Sequence, residues 1–354
     1  MTDARFSRQR RALLKAGMAA CGVVAVGGIA KELRYARGPG EYRFTGDAMG
    51  TTYTVTFVAP VGERSLHGAA RAAVDAAVAD VDARMSTFAH ASELSRLNRH
   101  AGPGPLALSE DTLRVLTVAH GISEASGGAF DVTAGPLVNA WGFGPARDPR
   151  VPGKAELAAL RERVGFRGLE IDGAARSVRK MHPAMYVDLS GIAKGYGVDR
   201  AARVLDALGI TAYAIELGGE VRTRGSNVNG HPWRVAIEEP QPALPRKVRR
   251  VVPLAGLAMA TSGDYRIYFE RDGHRYCHEI DPVSASPVAH ALTSVTVVAG
   301  DCASADAYAT ALMVLGPEKG YALAQRLDLG AYFIERAPDG SLVDRATPAF
   351  TALG

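Results

Sequence analysis

The sequence predicts an α+β fold, and three observations carry the prediction. Segments with apolar residues at helical spacing are interleaved with short β-rich segments. The β-rich segments follow one another in hairpin-like succession, without the regular strand-helix-strand alternation of a parallel sheet. No fixed-period repeat and no low-complexity tract interrupts the body of the chain. With 354 residues, 47% hydrophobic and 22% charged, the chain can bury one large core or two modest ones, which sets it apart from disordered sequences.

In chain order, the first forty residues read as an export leader. Arg10-Arg11 and Lys15 precede a small, apolar run over 16–30, the build of a signal segment cleaved near residue 30. The adjacent arginines favour the twin-arginine route, so the body is expected in the periplasm. The apolar run is shorter than the ~20 residues a membrane span needs. Left uncleaved, it would serve as a short tether to the inner membrane. Cys21 lies in a poor version of a lipoprotein cleavage site. The leader also holds eight Lys/Arg against Asp3 and Glu32, a charge of +6. Because the whole chain carries +4, residues 41–354 sum to −2. The body is therefore slightly acidic and lends no support to nucleic-acid binding through a basic face.

Residues 42–58 alternate β-formers and predict a strand pair or one long strand, and 66–85 is Ala-rich with helical apolar spacing. The stretch 90–105 reads as loop. A helix is expected over 109–126, with Ser109 as N-cap, Asp111 in the first turn and a stop at Gly127-Gly128. Prolines and glycines make 135–152 loop-like and suggest a soft boundary at 145–155. Further helices are expected at 154–164, 194–208 and 303–315. Strands are expected at 184–189, 212–217, 233–237, 257–261, 265–270, 275–280, 294–299 and 331–335. In the strand at 275–280, Cys277 and His278 point to opposite faces, so Cys277 reads as a buried structural thiol.

Four segments carry chemistry. On the helix at 303–315, Asp306 and Thr310 stand one turn apart on one face, a hard-oxygen pair suited to Mg²⁺; the plainer alternative is a helix start with an ordinary polar side. The junction Val187-Asp188-Leu189-Ser190-Gly191, followed by Lys194 in a helix start, offers backbone groups and a cation to a phosphate, while Asp188 and the Gly191 carbonyl suit ribose, amide or metal. Helix capping beside a surface lysine is the alternative there. Gly127 to Gly144, with Phe130, Asp131, Trp141 and Phe143, can wall a flat ring or simply form a glycine-rich turn around core aromatics. His278 precedes Asp281-Pro282 and is a candidate proton acceptor for a hydroxyl, with a satisfied structural histidine as its rival. Gly218-Gly219 reads as a tight turn.

Taken together, the blocks Ala48-Met49-Gly50-Thr51, Met85 to Phe88, Ser92 to Asn98, Phe130-Asp131 to Gly144, Asp188 to Asp199, Gly218-Gly219, Thr261 to Tyr265, His278 to Pro282 and Ala305-Asp306 to Gly316 resemble the ApbE family, the bacterial FAD:protein FMN transferases. The resemblance covers about residues 42–335. It implies a T-fold-like architecture with FAD in a cleft between two lobes. It also implies an Mg²⁺-dependent enzyme that moves FMN from FAD to a Thr or Ser hydroxyl of an acceptor flavoprotein and releases AMP. By position it implies that Met49, Phe88, Ala129, Phe130, Asp131, Asp188, Lys194 and Ile280 contact FAD. The Gly191 carbonyl, Asp306 and Thr310 would hold the metal, and His278 would help deprotonate the acceptor. Acceptors of the family are membrane respiratory complex subunits and flavoproteins of nitrous oxide respiration, so the membrane enters only through the leader or the acceptor. Two places depart from the family pattern. Ser284-Ala285 stands where Thr-Gly is usual, and Glu216 where Asn is favoured. A hydrolase that splits FAD to FMN and AMP, and a non-catalytic FAD carrier, are the alternatives.

Overall fold

A computed structural model of the chain describes residues 39–241 and 247–354. The expected leader segment, with Cys21 and a cleavage point near residue 30, lies outside the described residues, except that the first strand, β1 (Pro39–Ala48), already includes its last two positions. β1 pairs with β2 (Thr51–Pro60) through a two-residue turn in which Met49 (φ 50°) and Gly50 (φ 76°) are both left-handed. That is the turn whose twist suits a hairpin, and a methionine there carries a cost of about 1 kcal/mol.

The expected α+β class is found. Among the described residues the main sheet has eight antiparallel strands. Their order is β1, β2, β6 (Tyr213–Leu217), β7 (Glu220–Arg224), β10 (Ala258–Gly263), β15 (Leu292–Ala299), β16 (Gly330–Arg336) and β17 (Leu342–Ala346). One face carries the long helices. On β2, Tyr53, Val55 and Phe57 recur at period two and meet Val74 and Val78 of α1 (Arg64–Met85) and Val198, Ala201 and Leu205 of α6 (Ala193–Ala207). Farther along, Val295, Val297 and Phe333 pack on Ala305, Ala309, Leu312 and Met313 of α7 (Cys302–Arg326). Each such side chain contributes roughly 1.5–3 kcal/mol by leaving water. The opposite face, from Met259, Val298, Tyr332 and Ile334, is covered by the hairpin β8 (Trp233–Glu238) and β9 (Val248–Leu254) and by Phe350 of α8 (Pro348–Thr351).

A second core lies beside the helices. Leu94 and Leu97 of α2 (Glu93–Arg99) and Leu113 and Leu116 of α3 (Glu110–Ala125) meet Phe130, Val187, Leu189 and Ile192, and reach Ala303 and Ala307 of α7. The small strands β3 (Leu106–Ala107), β4 (Leu169–Asp172) and β5 (Ser177–Lys180) edge this region. Ser109 caps α3 as expected, accepting from the Thr112 N–H, and Gly127 and Gly128 end it with φ of 65° and 88°.

Several expectations need correction. The loop at 90–105 contains α2. Ser92 caps it by accepting from Ser95 N at 2.9 Å, and its two buried leucines are too few to make a periodic signal. The loop at 135–152 contains the short helix α4 (Gly135–Ala140). The soft boundary at 145–155 does not separate cores, because Leu157 and Leu160 of α5 (Lys154–Arg161) pack with Leu137, Trp141 and Ile280. The expected strand at 184–189 is not formed and the segment belongs to no sheet. The side-chain amide of Asn98 takes the place of a neighbouring strand: its Nδ2 donates to Val187 O (2.8 Å) and its Oδ1 accepts from Val187 N (2.7 Å). Finally, the helix expected at 303–315 breaks at Gly316 (φ 78°, ψ −176°), and a second helical stretch continues from Pro317.

Cys277 ends β12 (His274–Cys277) and is buried and free, as is Cys302. Burial pushes the Cys277 thiol up to about 12 and Cys302 well above the ordinary range. Both are therefore expected to resist iodoacetamide at pH 8 in the native state and to react once unfolded. Peptide-level mass spectrometry reads each thiol separately, and rapid native labelling of either would show an opening that this burial does not allow.

Candidate active site

The site is built where α6 and α7 start side by side. A Cβ on Gly195 would lie 2.3 Å from Cys302 O, so only glycine lets the two helix ends approach this closely. Asp199 binds the ends together by accepting from Cys302 N and Ala303 N, each at 3.0 Å. With the ends locked, Gly195 N donates to Asp306 Oδ2 at 3.0 Å. Asp306 is 4% exposed, and burial raises its pKa against the pull of Lys194.

One turn on, Thr310 Oγ1 lies 3.2 Å from Ser262 Oγ of β10. The Gly191 backbone runs beside it, since a Cβ there would meet Thr310 Oγ1 at 3.1 Å and Phe130 Cε2 at 3.2 Å. The Gly191 backbone thus runs beside the Thr310 hydroxyl, one helical turn from the Asp306 carboxylate, and hard oxygens of this kind could hold Mg²⁺. Among the described residues no group of three or more His, Cys, Asp or Glu is placed to hold a metal.

Lys194, in the first turn of α6, donates to Glu220 at the start of β7. Burial works against its charge, but Glu220 and Asp306 outweigh burial and hold the Lys194 pKa above the ordinary lysine value. Glu220 itself is pushed by burial up to about 7, and its Oε2 is buried without a partner. The Gly218-Gly219 turn that delivers Glu220 has φ of 64° and 116°, and a Cβ on Gly218 would lie 3.4 Å from Lys194 Cδ. Glu216, one of the two departures, is 1% exposed and accepts from Gly219 N at 2.9 Å, so it secures this turn.

His278 follows β12. Its side chain is 33% exposed, its Nδ1 is buried without a partner, and its Nε2 faces Glu279 Oε1 at 3.6 Å. Burial of the ring, with a smaller push from the Lys194 charge, takes the imidazole down to about 4. Glu279 is pushed up to about 8 by burial and by the Asp306 charge. The ring is therefore a neutral proton acceptor near pH 7.

The other expected residues divide by environment. Met49 packs against both the sheet core and the second core, and a Cβ on Gly197 would lie 3.1 Å from its sulfur. Ala129 and Phe130 are buried, and the Phe130 ring lies beside Gly191. The Asp131 carboxylate is engaged within its own loop, accepting from Thr133 N (2.7 Å), Thr133 Oγ1 (2.6 Å) and Phe166 N (2.9 Å). Asp188 donates through its N–H to Val132 O at 2.7 Å and accepts from Ser190 N at 2.9 Å. Ile280 is buried against Trp141 and Ala285. Phe88 is not drawn into this cluster: it is 58% exposed, with the Arg147 guanidinium 5.7 Å from its ring centre.

Glu220, Ser262, Glu279 and Asn98 carried no expected role. Glu220 and Glu279 stood within motifs already singled out, next to the glycine pair and to His278. Asn98 closed the Ser92 to Asn98 block, but its role had no local signal, because its partner Val187 is 89 residues away.

The second departure has a structural consequence. Ala285 sits at φ 58° in the turn joining β13 (Ile280–Asp281) to β14 (Ser286–Pro287), and Trp141 Nε1 donates to its carbonyl at 2.9 Å. Ala285→Gly is expected to stabilise the fold by about 0.5 kcal/mol, the relief of left-handed strain less the added freedom of the unfolded chain. A higher Tm in thermal unfolding checks it; a lower one would show that the alanine is unstrained.

Comparison with known proteins shows the family. The model of the ApbE family matches residues 49–333. An FAD:protein FMN transferase of Vibrio cholerae is 43% identical over 304 residues, which span 85% of this chain and 89% of the relative. Another of Haemophilus influenzae is 40% identical over 313 residues, 87% of this chain and 90% of the relative. The flavinyl transferase ApbE of Pseudomonas stutzeri, solved in its apo form, superposes with a TM-score of 0.81 at 39% identity, covering 91% of this chain and 98% of that one.

Proposed function

Because the chain belongs to the ApbE family, we propose that it is an Mg²⁺-dependent FAD:protein FMN transferase, which attaches FMN to a Thr or Ser hydroxyl of an acceptor flavoprotein and releases AMP. The observation that carries this reading is the meeting of Asp306, Thr310, the Gly191 backbone and Lys194 at the two helix starts. Asp306, Thr310 and the Gly191 carbonyl would hold the ion. When bound, Mg²⁺ neutralises pyrophosphate charge and eases the departure of AMP.

The chain's own residues supply position and proton acceptance. Lys194, kept charged by Glu220 and Asp306, offers a fixed cation to a phosphate. Neutral His278 takes the proton of the acceptor hydroxyl as that oxygen bonds to the FMN phosphorus and the bond to the AMP phosphate breaks. Met49, Ala129, Phe130, Asp188 and Ile280 would contact FAD, with Phe88 at the exposed rim. The leader supports a periplasmic site of action reached by the twin-arginine route. Acceptors in keeping with that site are membrane respiratory complex subunits and flavoproteins of nitrous oxide respiration. The test is to incubate the purified protein with FAD, Mg²⁺ and a candidate acceptor. Fluorescent flavin on the acceptor in a denaturing gel is expected; free FMN would mean a hydrolase, and intact FAD a carrier.

A further inference from the structure

The helical stretch that carries Asp306 and Thr310 ends at a proline, and a histidine supplies what the proline lacks. In an unbroken helix Met313 O would accept from the N–H of residue 317, but that residue is Pro317 and has no N–H. His290 Nε2 lies 2.9 Å from Met313 O, and because a carbonyl can only accept, the ring hydrogen sits on Nε2. The break and the ring are closely fitted. Gly316 has φ 78°, and a Cβ there would lie 2.8 Å from His290 Cδ2. His290 stands between β14 and β15 on a segment fixed at both sides. Val288 N donates to Glu279 O at 2.9 Å, which extends the β13–β14 pairing one step toward His278, and Arg336 N donates to Ala291 O at 2.8 Å.

A short path therefore joins the proton acceptor to the helix of the proposed metal set. It runs from His278 and Glu279 across one hydrogen bond to Val288, along the chain to His290, and across a second to Met313, three residues past Thr310. We infer that His290 is a positioning residue for FMN transfer, setting the placement of the His278 imidazole relative to Asp306 and Thr310. This inference rests on the transferase reading. The reaction needs such a setting, because the acceptor oxygen gives its proton to His278 while it bonds to a phosphorus held at the start of α7. A misplacement of about 1 Å between reacting groups can cost on the order of a hundredfold in rate. The apolar packing of α7 on β10 and β15, through Ala260, Val295, Val297, Ala309 and Leu312, is non-directional. A hydrogen bond to a carbonyl at the end of the helical stretch is directional, and it adds a stop along the helix axis.

The test compares His290→Gln, whose amide nitrogen can donate from nearly the same place, with two variants that lack a donor. His290→Met matches glutamine in length, and His290→Phe keeps a ring against Gly316. Each is measured with FAD, Mg²⁺ and an acceptor domain that the wild-type protein labels, at a temperature where thermal unfolding shows the variant folded. Met and Phe are expected to slow single-turnover transfer about tenfold, with FAD affinity by fluorescence unchanged. Gln is expected to keep most of the wild-type rate. In a His278→Ala background, His290→Met is expected to cost nothing further, because the group it places is gone. A wild-type rate in the folded Met or Phe variant, a Gln variant no faster than Met, an equal cost in the absence of His278, or a parallel loss of FAD affinity would each overturn the positioning role. Failure of both donor-less variants to fold would overturn it too, by making His290 a brace of the whole fold. Failure of the wild-type protein to label any acceptor would instead overturn the transferase reading itself.

Discussion

Asp306→Ala is expected to lower FMN transfer by at least about a thousandfold, equivalent to ~4 kcal/mol of barrier. Two losses coincide in this variant. The buried carboxylate of the proposed Mg²⁺ set disappears, and so does the acceptor for Gly195 N, which orients the first turn of α6 where Lys194 stands. Asp306→Asn separates them, because an amide oxygen can still accept from Gly195 while the charge is gone. Both variants should fail to turn over FAD at ordinary Mg²⁺, with Asn the better folded of the two in thermal unfolding. Full activity in either removes Asp306 from the metal set. The pH dependence follows from the direction of its shift. Burial raises the Asp306 pKa, so a proton competes with the ion sooner than at an ordinary aspartate. The Mg²⁺ concentration for half-maximal rate should therefore rise as pH falls and settle as pH rises through that pKa. A half-saturation independent of pH would contradict this.

His278→Ala is expected to slow transfer by roughly 10²–10⁴-fold, the range for loss of a positioned general base, while FAD affinity changes little. Equilibrium binding of FAD by fluorescence, set beside single-turnover labelling of an acceptor, reads the two effects apart. Equal losses in both would make the imidazole a binding group. Its pH signature also differs from that of an ordinary histidine. Because burial lowers its pKa to about 4, the ring is already in its accepting form at neutral pH. At saturating Mg²⁺ the histidine limb of kcat should accordingly lie well below pH 6. A limb near 6.5 would show a solvated ring.

The two variants act on groups that the sequence reveals to different degrees. Asp306 and Thr310 are four residues apart on a helix, so their shared face follows from helical geometry alone. Lys194 likewise follows from a helix start rich in glycine. Strand alternation was expected to separate Cys277 from His278, but β12 ends at Cys277, so the strand expected over 275–280 is broken at 278–279 and the buried thiol beside the partly exposed ring reflects the strand's end. Helical and hairpin-like periodicities are local, which is why most of the long elements and the α+β class were legible from them.

Short elements were less visible. α2 has too few residues for a period, and the segment before Asp188 has the β-formers of a strand but, at Val187, takes its hydrogen bonds from Asn98. Ala285 could be marked as a departure from sequence, but its left-handed backbone could not.

The sequence by itself determined which residues hold oxygen, imidazole and ammonium groups, and which of them lie on one helix face, because these depend on spacing within a few residues. Only the tertiary structure decided that Lys194 would meet Glu220, that Gly191 would run beside Thr310, and that a buried Glu279 would face the His278 imidazole. These depend on two helix ends and a strand end converging from residues far apart in the chain. Such a convergence is set by the packing of whole faces, which no local spacing encodes.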